Sequence, residues 1–245
     1  MTRRFVALLT LAASLVPLLA SAQQWTEGKN YFLITPTLHT SVPAGKIEVT
    51  EVFSYGCPHC SEFRPVIKQL KAALPPNAVL TLIPASFNPA EDWPMLQRAY
   101  VTAEALGIAD RAHDGIFDAI WKSGELAVVD LQTNRIKSPA PTIEDAARVY
   151  NKLTGIPVDK FLAVSQSFTV EVKMKADDAY VLHGQVDSTP TIIVNGKYRL
   201  NATSAGGATQ LLQLVKFLVA KGAKTIFNKA IFATIATFCS ESFLS

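Results

Sequence analysis

IEVTEVFSYGCPHC, residues 47–60, is the stretch that decides the fold. Its β-branched first half predicts a strand over Ile47–Phe53. A helix is predicted from Cys57 to Leu74, ended by Pro75 and Pro76, and Val79–Ile83 predicts a second strand. Strand, helix and strand within about forty residues form a βαβ unit of an α/β fold. The apolar residues that fall on one face of the helix are Phe63, Val66, Ile67, Leu70 and Leu74.

Helical patterns dominate residues 88–183, and strands return afterwards. Trp93, Trp121 and their apolar neighbours are expected in the core of this helical region, and Thr142 begins a predicted capping box. Thr191–Val194 and Lys197–Leu200 flank Asn195-Gly196, the sequence of a tight hairpin turn. The sequence therefore predicts one discontinuous domain, residues 23–87 and 184–222, interrupted by an all-helical insertion over 88–183.

The first residues resemble an export signal. Arg3 and Arg4 precede an apolar run that ends near Leu19, and Ala20-Ser21-Ala22 supplies small residues for cleavage after Ala22. A transmembrane anchor is the alternative, but the run is shorter than the roughly 20 residues that span a bilayer and contains Pro17. Residues 1–22 are therefore predicted to be a signal peptide that exports the chain to a compartment where disulfides persist.

The composition excludes several classes of protein. Of 245 residues, 49% are hydrophobic and 18% charged, which argues against a disordered chain. The formal charge is +3, and two of the basic residues lie in the predicted leader, so no nucleic-acid partner is expected. Three cysteines are too few for a disulfide scaffold in a chain of this size.

The chemistry resides in Cys57-Pro58-His59-Cys60, which joins the first strand to the helix. Unpaired backbone N–H groups at a helix N-terminus stabilise a thiolate, so the pKa of Cys57 should be lowered. Pro58 fits the first turn of a helix, and His59 is expected to add to the stabilisation of the thiolate. Cys60 lies one turn later and is placed to close a disulfide with Cys57. A stabilised thiolate makes that disulfide a strong oxidant.

A zinc site is the alternative for this motif. Structural zinc sites bring a second pair of ligands at short spacing. The remaining cysteine, Cys239, is far away in the sequence, and the four histidines are scattered. Redox chemistry is therefore favoured, and no metal is expected.

Three segments carry a resemblance to the DsbA group of periplasmic thiol:disulfide oxidoreductases, within the thioredoxin-like superfamily. They are EGKNY at residues 27–31, the stretch 47–60 and STPTIIVNGKYRL at 188–200, in a match that covers about residues 25–220. The resemblance implies a thioredoxin-like fold, a central mixed sheet flanked by helices. It also implies that the Cys57-Cys60 disulfide, with no other cofactor, is donated to unfolded exported proteins, and that a quinone-linked membrane protein like DsbB reoxidises the dithiol.

The resemblance implies roles for two further places in the chain. Thr189 and Pro190 match a loop whose cis proline faces the active disulfide and whose backbone pairs with substrate. Glu51 shares a strand face with Ile47, Val49 and Phe53, so we expect it to be partly buried with a raised pKa. The matching acid of the family implies that Glu51 transfers a proton to or from Cys60. The alternative is a solvated charge at the end of an edge strand.

Some features fit the family less well. Arg64-Pro65 stands where acidic residues are common, and Pro65 is expected to kink the helix because it removes the N–H bond to the Ser61 carbonyl. Residues 223–245 form an atypical apolar tail, for which a membrane- or partner-binding helix, a packing element and an altered reading frame are the open alternatives.

Two other functions remain open from the sequence alone. A disulfide isomerase or reductase would share the chemistry, but such proteins usually carry a dimerisation domain before the catalytic one, and residues 23–45 are too few for it. A non-catalytic thiol chaperone or metal-binding module would use the thiols as ligands. The leading expectation is a periplasmic, monomeric dithiol oxidase.

Overall fold

The computed structural model describes residues 25–241, with side chains described as far as Lys224. The predicted signal peptide therefore lies outside the described residues. Five strands are found, β1 (Phe32–Leu33), β2 (Ile47–Phe53), β3 (Ala78–Pro84), β4 (Thr191–Val194) and β5 (Tyr198–Leu200). The helices are α1 (Pro58–Ala73), α2 (Trp93–Ala105), α3 (Ala109–Trp121), α4 (Ile143–Thr154), α5 (Val158–Ser165), α6 (Phe168–His183), α7 (Ala202–Ala205) and α8 (Ala208–Glu241).

The strands form one mixed sheet in the order β1-β5-β4-β2-β3. β2 and β3 are parallel because α1 crosses between them, which confirms the predicted βαβ unit. β4 is antiparallel to β2 and to β5. Asn195 and Gly196 both have positive φ, of 55° and 63°, as a tight hairpin turn requires. The predicted mixed sheet is thus confirmed.

β2 is the central strand, and all seven of its residues are buried. One hydrophobic core joins the start of β2 to α1 and α8, through residues such as Val49, Leu70 and Leu214. A second core joins the end of β2 to helices α2–α6, through Phe53, Phe117 and Tyr150 among others. Since helices cover both faces of the sheet at this strand, its carboxyl end, where the motif begins, is held from both sides.

The helices between β3 and β4 follow the predicted patterns with one addition. Thr142 and Asp145 form the predicted capping box at the start of α4. The helix α5 was not predicted, because it spans only eight residues and its apolar stripe is short. Phe161 of α5 stacks on Tyr150 of α4, with ring centroids 4.8 Å apart, so packing between helices stabilises it.

The last helix is longer than the sequence suggested. α8 passes without interruption through residue 222, where a boundary with the tail was predicted, and continues to Glu241. Within the described part of the chain, no helix is both long enough and apolar enough to cross a membrane.

Candidate active site

The motif lies where β2 turns into α1. Cys57 is the N-cap of α1, with extended φ and ψ of −92° and 116°, and Pro58 occupies the first turn as predicted. Gly56 precedes them because its backbone passes against the indole of Trp93, where an added Cβ would stand 2.4 Å from the ring nitrogen Nε1. The indole of Trp121 donates a hydrogen bond of 2.8 Å to the Tyr55 carbonyl. Both tryptophans of the helical region thus hold the turn before the cysteines.

Cys57 and Cys60 are both free thiols, and both are buried. A hydrogen bond from the Cys60 side chain lowers the pKa of Cys57 from 9.0 to about 6, against an opposing effect of burial. Further hydrogen bonds from the Thr189 side chain and from the backbone N–H groups of Cys60 and His59 contribute to the lowering. The pKa of Cys57 is thus lowered, as its place at the helix N-terminus predicts, and the Cys60 side chain contributes most to the lowering.

Cys60 behaves in the opposite way. Burial, the hydrogen bond with Cys57 and the negative charges of Cys57 and Glu51 raise the pKa of Cys60 well above its ordinary value. At neutral pH the reduced pair therefore holds one proton, on Cys60, and one negative charge, on Cys57. The two thiols of the motif thus differ in acidity, and the more acidic one lies at the N-terminus of α1.

His59 contributes to this arrangement through its backbone. Its imidazole is exposed and lies 3.5 Å from a carboxylate oxygen of Glu62, one turn along the helix. The hydrogen bond that His59 supplies to Cys57 comes from its main-chain N–H. The stabilisation of the thiolate by the His59 side chain remains a prediction.

Thr189 and Pro190 face Cys57 across the site. The Thr189-Pro190 peptide bond is cis, as the resemblance implied. The Cys57 sulfur lies 3.4 Å from the Thr189 carbonyl oxygen, to which it donates a hydrogen bond when it is protonated. The Thr189 side chain also lowers the pKa of Cys57, a contribution that the sequence did not indicate, because 132 residues separate the two positions.

Glu51 is buried in the middle of the sheet. It pairs with Leu82 of β3 on one side and with Ile192 of β4 on the other, so the edge-strand alternative is wrong. Burial, together with the negative charge of Cys57, raises the pKa of Glu51 from 4.5 to about 8. At neutral pH its carboxyl group is therefore protonated.

Two grooves, each with a volume of about 400 Å³, lie on either side of the loop 186–190. The first includes Phe63, Thr189 and Pro190 beside the motif, together with Thr203. The second includes Val186 of the loop and adds Leu182, whose side chain is 73% exposed, and Phe87. Both grooves are open to solvent and partly apolar.

The described residues include no group of three or more His, Cys, Asp and Glu side chains arranged to hold a metal ion.

The chain is similar to known proteins over most of its length. A family profile described as Thioredoxin matches residues 36–213. Thiol:disulfide interchange protein DsbA of Pseudomonas aeruginosa is 32% identical over 209 residues, which are 85% of this chain and 91% of that protein. DsbA of Azotobacter vinelandii is 35% identical over 74% of this chain and 79% of its own length. The crystal structure of P. aeruginosa DsbA superposes with a TM-score of 0.70 at 33% identity, covering 83% of this chain and 97% of that one.

Proposed function

The chain belongs to the DsbA family of thioredoxin-like thiol:disulfide oxidoreductases, and we propose that it donates its Cys57-Cys60 disulfide to reduced, unfolded exported proteins. The observation that carries this direction of reaction is the opposite displacement of the two cysteine pKa values. Stabilisation of the Cys57 thiolate favours the reduced state of the protein, so its disulfide is a strong oxidant and Cys57 is a good leaving group.

The reaction takes two exchanges. A substrate thiolate attacks the sulfur of Cys57, the Cys57–Cys60 bond breaks, and the electron pair leaves on Cys60. A second substrate thiolate then attacks the substrate sulfur of the mixed disulfide, and Cys57 leaves as a thiolate. The substrate loses two electrons to form its disulfide, and the protein gains them as a dithiol.

Glu51 supplies the proton in the first exchange. Cys60 leaves as an anion in a buried site, where an unpaired charge is costly. The protonated carboxyl group of Glu51 lies beneath it and can neutralise it. Glu51 then recovers its proton from solvent, because burial still disfavours its carboxylate form.

The loop before β4 binds the substrate. A chain laid along residues 186–190 brings its cysteine to Cys57, and its neighbouring side chains enter the grooves on either side of the loop. The backbone of Thr189 is the pairing partner. Because both grooves are open, the site accepts unfolded chains of varied sequence better than a folded surface.

Oxidation of a reduced peptide by the purified disulfide form tests this function. The wild-type protein should oxidise the peptide rapidly, and Cys57→Ala should not react. An isomerase would act on a scrambled disulfide protein instead, and a thiol chaperone would bind peptide without oxidising it. Failure of the wild-type protein to oxidise a dithiol would refute the proposal.

The cellular setting follows from the same family. The predicted signal peptide of residues 1–22 and the need for an oxidising compartment support a location in the periplasm. A DsbB-like, quinone-linked membrane protein would return the dithiol to the disulfide. Membranes containing such a partner should restore multiple turnovers, and membranes without it should allow only one.

A further inference from the structure

Arg64 is a nearly buried cation between the active-site helix and the helical region. It follows Cys60 by one turn of α1, and its side chain is only 16% exposed. One of its terminal nitrogens lies 2.9 Å from an Asp118 carboxylate oxygen, and the other donates a hydrogen bond of 3.0 Å to the Asp114 carbonyl. Its guanidinium carbon lies 5.2 Å from the centre of the Phe117 ring. All three partners belong to α3.

The same guanidinium also repairs a break in α1. Pro65 has no N–H group, so the Ser61 carbonyl lacks its usual partner within the helix. The Nε group of Arg64 donates a hydrogen bond of 3.0 Å to that carbonyl. The pair Arg64-Pro65 therefore works as a unit, in which the proline frees a carbonyl and the arginine links it to α3.

The turn held in this way is the one that faces the thiolate. The N–H groups of His59 and Cys60 hydrogen-bond the Cys57 sulfur, and the N–H of Ser61 bonds the Cys57 carbonyl at 3.3 Å. We propose that Arg64 is a positioning residue, which fixes the first turn of α1 against α3 and so keeps the backbone donors of that turn directed at Cys57.

The other side of the active site supports this role for α3. Its last residue, Trp121, holds the Tyr55 carbonyl, two residues before Cys57. His113 of α3 lies within hydrogen-bond distance of the Tyr55 hydroxyl, at 3.2 Å. The strand-to-helix turn is thus fixed to α3 both before the motif, through Tyr55, and after it, through Arg64. Loss of Arg64 removes the second of these attachments and leaves α1 joined to α3 farther along the helix, through Lys68 and Lys71.

Titration of the Cys57 thiolate in the reduced, full-length protein tests the inference. Arg64→Gln removes the charge and the donors, and Arg64→Lys keeps the charge but lacks Nε and the planar fork. Both variants should raise the pKa of Cys57 by at least about half a unit, a threefold change in its ionisation constant. Both should make the disulfide less oxidising against glutathione in the same proportion.

Lys68 provides the matched control. It also joins α1 to Asp114 of α3, at 2.5 Å, but its side chain is 65% exposed and does not reach the Ser61 carbonyl. Lys68→Gln should leave the Cys57 pKa unchanged. Asp118→Asn weakens the ion pair with Arg64 without changing any residue of α1. It should raise the pKa of Cys57, as the Arg64 variants do, by a smaller amount.

Three results would overturn the inference. The first is a lower free energy of unfolding in both Arg64 variants with an unchanged Cys57 pKa, since Arg64 would then only stabilise the fold. The second is an unchanged Cys57 pKa in Arg64→Lys together with a raised Cys57 pKa in Arg64→Gln, since the positive charge of residue 64 alone would then explain the effect. The third is an equal shift in Lys68→Gln. The positioning role of Arg64 rests on the proposed function only through Cys57. The titration uses no substrate, so it can confirm or refute this role even in a protein that fails to oxidise peptides.

Discussion

Two thiols three residues apart differ in acidity because their surroundings differ. Cys57 receives hydrogen bonds from Cys60, Thr189 and two backbone N–H groups, whereas Cys60 is more deeply buried and faces two acidic groups. Hydrogen bonds that favour the charged form lower a pKa, and burial of an acid raises it. The single proton of the pair therefore resides on Cys60.

The hydroxyl of Thr189 can be removed while the shape of the side chain is kept. Thr189→Val deletes one donor to the thiolate and keeps the backbone carbonyl, so the pKa of Cys57 should rise by about half a unit to one unit. Ultraviolet absorbance of the thiolate measures the pKa of Cys57. Thr203→Val is the control, because Thr203 is exposed on the far side of the first groove. Equal titration curves for both variants would contradict the role of the hydroxyl.

The raised pKa of Glu51 predicts a pH effect on the rate of mixed-disulfide formation and on the free energy of unfolding. In the reduced protein its pKa is raised to about 8, by burial and by the negative charge of Cys57. Formation of the mixed disulfide starts from the oxidised protein, in which Cys57 carries no charge, so its rate should break at a pH between 4.5 and 8, and the break should disappear in Glu51→Gln. Because a raised pKa contributes stability that is lost as the pH rises from 4.5 through 8, this variant should gain more free energy of unfolding above pH 8 than below pH 4.5.

The control for Glu51 lies on the same strand. Glu48 is equally buried but accepts hydrogen bonds from the backbone and side chain of Ser41, away from the cysteines. Glu48→Gln should keep the break in the rate profile. If Glu51→Gln also keeps it, the proton for Cys60 comes from another source.

At the scale of elements, close contact between the active-site turn and α2 restricts residue 56. A Cβ on Gly56 would meet the Trp93 ring at 2.4 Å and 2.7 Å, so Gly56→Ala must displace the indole. We expect a loss of about 1–3 kcal/mol in the free energy of unfolding, measured with urea. In a Trp93→Leu background the same change should cost less. An equal cost in both backgrounds would show that the indole does not set the restriction.

The whole molecule is stabilised by the thiolate at the end of its central strand. The pKa of Cys57 is lowered from 9.0 to about 6 on folding, so its contribution is complete above pH 9 and is lost as the pH falls through 6. At pH 7 this contribution is on the order of 1 kcal/mol. Above pH 9 the raised pKa of Cys60 acts in the opposite direction. Urea unfolding of the reduced protein between pH 6 and pH 9 measures this contribution. The Glu51→Gln variant is used because the Glu51 carboxyl group also titrates in this range.

The oxidised protein is the control for that experiment. Its two sulfurs are joined in both the folded and the unfolded state and do not titrate. The stability of the reduced protein relative to the oxidised protein should therefore fall as the pH falls from 9 to 6. A difference that is constant with pH would contradict the lowered pKa of Cys57.

Local sequence determined the parts of this protein that depend on near neighbours. The strand before Cys57, the first turn with Pro58, the Asn195-Gly196 hairpin and the capping box of Thr142 all follow from residues a few positions apart. Such features need only backbone preferences and short-range hydrogen bonds. The burial of Glu51 was also predicted, because an acid on an apolar strand face is buried together with that face.

Tertiary structure alone decided what depends on residues far apart in the chain. Thr189 contacts Cys57 across 132 residues, and Arg64 contacts Asp114 and Asp118 only because α3 packs beside α1. The short helix α5 and the full length of α8 also escaped prediction. The reason is physical, since periodicity along a chain indicates which face is buried but not which partner covers it.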